Sequence, residues 1–247
     1  MKKHRIALII LQSVDKINDQ VKIPKRPKKI YLTEKESTEF EAVLKKEGNQ
    51  DPRVVRTRQM LLDALMALVE KKPFAKLSVT EITRTAGLDR STFYLHYSGI
   101  HALLEDLSAF LFDELRSEII AQGQVDVNQD PKALEAYVLI YFSHLDKYQK
   151  FYKRMLGKQG DPCFKSLFQS LLAELLFEPI ADKILQYKPA STAELFLQFY
   201  TSGFSGIAAW WLDKDMPIPA MEAAQIVTRN ILPAYLALER SSGKYPE

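Results

Sequence analysis

Ser78-Val-Thr-Glu-Ile-Thr-Arg-Thr-Ala-Gly-Leu-Asp-Arg-Ser-Thr-Phe-Tyr-Leu-His-Tyr97 holds two helix starts and one chain reversal. Ser78 and Glu81 have the Ser-x-x-Glu spacing of a capping box, in which the hydroxyl takes a backbone N–H and the carboxylate reaches back. Ala86-Gly87 follows Ile82 within two turns, and glycine suits the left-handed conformation that reverses a chain after a short helix. Asp89 is placed to cap the next helix, which opens Arg90-Ser91-Thr92. Helix, glycine turn and helix is the order of a DNA-reading helix-turn-helix, and also of an αα-hairpin used only for packing. Spacing alone leaves both open.

Upstream, Val55, Leu61, Leu62, Leu65, Met66, Leu68 and Val69 recur at intervals of three and four behind Asp51-Pro52, which predicts a helix from Pro52 to Lys72 that Pro73 and Phe74 interrupt. Downstream, helical patterns run over Ile100 to Ala121, Pro131 to Tyr148, Phe151 to Leu156, Pro162 to Phe177, Ile180 to Tyr187, Ser191 to Leu212 and Pro217 to Arg240. Pro and Gly punctuate nearly every joint, and no repeat or alternating strand pattern intervenes. The fold class read from this is all-α: a three-helix unit over residues 51–98, followed by a helical bundle over 99–247.

Residues 1–50 form a basic extension of different character. The first 58 residues carry 15 Lys/Arg against 8 Asp/Glu, whereas the whole chain of 247 has a formal net charge of only +3. The densest cluster, Lys22, Lys25, Arg26, Lys28 and Lys29, is interleaved with Pro24 and Pro27, which favour an extended segment. Such an arm suits a polyanion, because Lys and Arg that displace condensed counterions supply most non-specific nucleic-acid affinity; a solvated linker is the plainer reading. Short helices are expected at Ile6 to Val21 and at Thr33 to Lys46.

Several function classes are disfavoured. Ile6 to Leu11 is too short for a secretory signal core, and no stretch approaches a membrane span, so a cytoplasmic protein with no membrane partner is expected. Lone Cys163 reads as a small buried hydrophobe. His4, His96, His101 and His144 form no metal-ligand spacing, no phosphate loop or nucleophile elbow is present, and adjacent carboxylates such as Glu105-Asp106 point apart on a helix. No catalytic residue, metal or cofactor is therefore assigned.

Residues 54 to 107 resemble the DNA-binding domain of TetR-type transcriptional regulators. The likeness rests on the Ala86-Gly87 turn, the Thr92-Phe93-Tyr94 core of the third helix, Tyr97, and Leu103-Leu104 in the fourth helix. It implies that Arg90, Ser91 and Thr92 meet base edges, a role suited to Arg on guanine and to hydroxyls on several bases. It further implies that Ser78, Thr80, Tyr94 and His96 touch phosphates, joined by Arg56 and Arg58 on the first helix, while Phe93 and Tyr97 hold the small core. Ile100 stands where the family commonly has Lys, which removes one phosphate contact from the implied set.

Residues 148 to 230 more faintly resemble a TetR-like C-terminal regulatory domain, through Phe151 to Leu156 and Tyr200 to Leu212. The resemblance implies a homodimer formed by the last two long helices. Leu195, Phe199, Ser202, Gly203, Gly206 and Trp210 are the interface candidates, with core packing inside one chain as the plainer alternative. Tyr141, Phe142, Phe164, Phe168, Phe199 and Tyr200 are candidates to line a pocket for a small-molecule effector, although a core needs the same residues. The expected function is that of a ligand-responsive repressor binding a double-stranded, near-palindromic operator. The alternative is a helical co-regulator that binds a protein partner and whose DNA head is weak or vestigial.

Overall fold

The computed structural model describes residues 51–122, 131–177 and 190–240, in which no strand occurs. The helices are α1 (Pro52–Lys71), α2 (Val79–Ala86), α3 (Arg90–His96), α4 (Ile100–Ala121), α5 (Pro131–Lys147), α6 (Gln149–Leu156), α7 (Pro162–Phe177), α8 (Ala190–Asp213) and α9 (Ala220–Arg240), with a 3-10 turn at Phe74–Lys76. The all-α expectation holds, and the starts and stops follow the predicted punctuation closely. α9 begins three residues later than predicted, because Asp215 and Met216 both adopt positive φ in the reversal after α8 and Pro217 and Pro219 follow. The basic arm, the expected helices at Ile6 to Val21 and Thr33 to Lys46, and that at Ile180 to Tyr187 lie outside the described residues.

α1 packs on α2, α4 and α6; α4 packs in turn on α5 and α7; α8 lies against α6 and α7, and α9 runs along α5. One apolar core continues from Leu61 on α1 to Val227 on α9. α4 is shared by both ends of that core. Leu103, Leu104, Leu107, Leu111 and Leu115 are all buried along it, and its 22 residues span about 33 Å at the usual helical rise. Each fully buried leucine contributes about 1.5–3 kcal/mol.

The body's core is aromatic. Phe164 contacts Phe112, Phe151, Tyr152 and Phe168, while Phe142 packs edge-on against Trp211 with centroids 5.2 Å apart. Buried polar tips find partners: the Tyr141 hydroxyl donates to the Phe204 carbonyl at 3.2 Å, and the Trp211 indole N–H donates to the Ile218 carbonyl at 2.9 Å.

Candidate nucleic-acid interface

The two short helices are fixed at both ends by local bonds. The Glu81 amide donates to Ser78 Oγ at 3.3 Å and the Ser78 amide donates to Glu81 Oε2 at 3.2 Å, completing the expected capping box. At the other end Gly87 adopts φ +70°, its N–H bonds the Arg84 carbonyl, and the Leu88 N–H donates to the Thr83 carbonyl at 2.8 Å. That pair of bonds is a Schellman motif, which needs a left-handed residue and so selects glycine. A Cβ at Gly87 would meet no atom within 4 Å, so the requirement lies in the backbone and not in crowding.

Asp89 caps α3 by accepting from the Thr92 amide at 2.8 Å and from the Ser91 hydroxyl at 2.5 Å. These bonds, the Ser91 hydroxyl first, hold the exposed Asp89 carboxyl below its usual range. α3 then divides cleanly. Phe93 and Tyr97, one turn apart, are buried in the small core as expected, while Arg90, Ser91, Tyr94 and Leu95 are exposed. Thr92 and His96 are half-buried between the two faces. Leu95 is 84% exposed and was not among the expected contacts. The available signal was phase: it lies two residues from both Phe93 and Tyr97 and therefore off their face. Ser78, Thr80 and Arg56 are exposed as phosphate contacts require.

Arg58 is tied to the fold. Expected on phosphate, its guanidinium instead donates to Asp106 on α4 twice, from Nε at 2.7 Å and from Nη2 at 2.6 Å. The Tyr97 hydroxyl donates to the same carboxylate at 2.6 Å. The reason is proximity in the fold: α1 and the end of α3 both meet the first turns of α4, and a two-oxygen carboxylate can accept from both. Burial alone would raise Asp106, but the Arg58 and Tyr97 bonds outweigh it and hold the carboxyl below its usual range. Burial and then the bond to Asp106 raise Tyr97, and Asp106 raises Arg58, so the trio stays an anion held by a cation and a neutral phenol. Ile100 packs against the core, which explains an apolar residue where the family has Lys.

In the body, Tyr141, Phe142, Phe164 and Phe168 converge as rings buried in contact with one another between helices. Phe199 is 71% exposed and Tyr200 half-buried, so Phe199 does not join that cluster. The double role given to Phe199 thus resolves toward the surface. Leu195, Ser202, Gly203, Gly206 and Trp210 are also exposed, so among the described residues no packing accounts for them. Trp211, the neighbour of Trp210, is buried. Cys163 is only half-buried, and burial pushes its thiol up. Among the described residues no helix is long and apolar enough to cross a membrane.

A capped helix-turn-helix joined to a helical body is an architecture of helix-turn-helix DNA-binding regulators. Comparison with known proteins agrees. A family described as bacterial regulatory proteins, tetR family, matches residues 61–107, and one described as a transcriptional regulator C-terminal region matches residues 132–232. The HTH-type transcriptional regulator YxbF of Bacillus subtilis is 41% identical over 63 residues, 25% of this chain and 17% of that protein. The HTH-type dhaKLM operon transcriptional activator DhaS of Lactococcus lactis is 24% identical over 124 residues, 49% of this chain and 62% of that one. These matches therefore span less than two thirds of either relative. A TetR transcriptional regulator from Streptococcus agalactiae has the same fold, with a TM-score of 0.54 at 24% identity over 80% of this chain and 98% of that chain. The chain belongs to the TetR family of transcriptional regulators.

Proposed function

We propose that the protein is a sequence-specific DNA-binding regulator acting as a homodimer on a near-palindromic operator, with residues 51–98 as reading head and 99–247 as regulatory and dimerisation body. The observation that carries this reading is the outer face of α3, where Arg90, Ser91, Tyr94 and Leu95 stand exposed on a seven-residue helix fixed by caps and by two buried aromatics. Arg90 offers two parallel donors to guanine O6 and N7, Leu95 offers apolar contact to a thymine methyl, and the hydroxyls and His96 position the head on phosphates. Intact caps around this face speak against a vestigial head.

Homodimerisation is supported by α8 and α9. Leu195, Phe199 and Trp210 expose large apolar area on α8, as do Met221 and Ile226 on α9. A Cβ at Gly203 or Gly206 would meet nothing within 4 Å, so among the described residues their smallness serves no contact, and it suits close approach by a helix of a second copy. Two heads related by that two-fold would enter major grooves about 34–36 Å apart.

Repression is the sign proposed, since occupying an operator excludes polymerase with no further surface, whereas activation needs one. The relative DhaS is named as an activator, and a promoter-reporter assay settles the sign here. An effector would lower operator affinity by its differential affinity for the two arrangements of the heads. The test of the core reading is fluorescence anisotropy with DNA flanking the protein's own gene, at two salt concentrations and with random competitor. Preference of about a thousandfold or more is expected; binding indifferent to sequence, there and after selection from a random pool, refutes it.

A further inference from the structure

Glu114, Glu118 and His144 take no part in the DNA head or in the exposed α8–α9 face. Glu114 and Glu118 are one turn apart on α4 and share a face, while His144 comes from α5, which packs against it. One carboxylate oxygen of each glutamate and one imidazole nitrogen all lie within 4.8 Å of one another, and among the described residues no other such group of three occurs. His144 is only 1% exposed. Its Nε2 lies 2.9 Å from the Tyr152 hydroxyl, but its Nδ1 is buried with no hydrogen-bond partner. A buried ring nitrogen left unpaired, on an imidazole that lies beside two carboxylates, is an unmet requirement of the fold as it stands.

We propose that these three residues bind a divalent transition-metal ion, with His144 Nδ1 and one oxygen from each glutamate as ligands. An imidazole with two carboxylates is a donor set for Zn²⁺, Mn²⁺, Fe²⁺, Co²⁺ or Ni²⁺, and it lacks the many oxygens that Ca²⁺ collects. Two ligands each about 2.1 Å from one ion are at most about 4.2 Å apart. The remaining closure is small, and the exposed Glu118 side chain can supply it by rotation. Tyr152 completes the design: by accepting from Nε2–H it fixes the tautomer that leaves the lone pair on Nδ1, as outer partners of metal-bound histidines do.

The charge balance is also close. Glu114 now accepts from the Lys147 ammonium on one oxygen and from the Tyr148 hydroxyl at 2.6 Å on the other. Lys147 is a mostly exposed side chain that can swing into solvent, so it acts as a monovalent competitor for the place of the ion. Two carboxylates against a divalent ion leave the site neutral. No sequence spacing announces such a site, because the glutamates and the histidine are brought together only by the pairing of α4 with α5.

The site does not rest on the DNA-binding reading, and its test contains no DNA. Zn²⁺, Mn²⁺ and Ni²⁺ are titrated calorimetrically into tag-free, chelator-treated full-length protein, alongside Glu118→Gln and Lys147→Gln. Both variants change surface side chains, and circular dichroism checks their helix content. One ion per chain is expected, bound about tenfold or more weakly in Glu118→Gln, since even an outer partner of a metal ligand is commonly worth that much. Binding tightens in Lys147→Gln. Absence of stoichiometric binding by all three ions, or an affinity unchanged in Glu118→Gln, overturns the assignment.

Discussion

Asp106→Asn tests how the reading head is tied to α4. The substitution keeps the shape and removes the charge that accepts from Arg58 Nε and Nη2 and from the Tyr97 hydroxyl. Arg58 is 41% exposed, so solvent screens its share and the pair contributes about 1 kcal/mol. The phenol-to-carboxylate bond, part-buried, contributes about 1.5 kcal/mol, and asparagine keeps some of it. The variant should therefore lose about 2 kcal/mol, or about 4–8 °C in Tm for a chain of this size.

The pH dependence makes the attribution specific. Asp106 is held below its ordinary value of 3.8, so its contribution is complete above that value and is lost as pH falls through the lower folded one. Urea unfolding followed by circular dichroism should give a gap between wild type and variant that is constant from pH 8 to pH 5 and narrows below about pH 4. A gap under about 0.5 kcal/mol at pH 7 is what an unremarkable surface change gives, and would refute the argument. So would a gap that persists undiminished at the most acidic pH where both proteins still fold.

Other predictions follow from the same geometry. Arg90→Ala should cost about 1–3 kcal/mol on operator DNA and little on random DNA, whereas Tyr94→Phe should weaken both more evenly; equal losses for Arg90→Ala in competition anisotropy would remove its base-reading role. Gly87→Ala should cost about 1–2 kcal/mol from its left-handed backbone although the added methyl meets nothing, and a thermal melt unchanged from wild type would contradict that. Phe199→Asp combined with Trp210→Ala should leave helix content intact but give a monomer by analytical ultracentrifugation and lose specific binding; a persistent dimer would place the interface elsewhere.

What the sequence disclosed is what local chemistry decides. The Ser78–Glu81 box, the Gly87 reversal and the Asp89 cap each lie within a few residues of what they bond, so spacing alone revealed them. The pairing of Arg58 with Asp106 is not legible in the sequence, because the partner is 48 residues away on another helix and an arginine near a helix start reads equally well as a phosphate contact. Leu95 was missed because an apolar residue in a short helix is assumed to face inward, and only the phase set by Phe93 and Tyr97 places it outside. Phe199 received two roles because aromatic composition cannot tell a core ring from an interface ring. Burial separates them, as it separates Trp210 from Trp211.

α4 carries Asp106 near its start and Glu114 and Glu118 two and three turns further on. Asp106 fixes the head to this helix, while the glutamates face α5 of the body through His144. An ion held between Glu114, Glu118 and His144 would draw α4 toward α5, and a helix transmits such a shift as a tilt along its length, not as a local bend. Metal and operator DNA would then favour particular tilts of one element. Linkage requires that if Zn²⁺ changes operator affinity by some factor, saturating operator changes Zn²⁺ affinity by the same factor. Anisotropy with and without Zn²⁺, paired with calorimetry with and without operator, measures both sides. Equal, non-unit factors in wild type that vanish in Glu118→Gln are expected. Metal binding that is indifferent to operator would confine the ion to bracing α4 against α5.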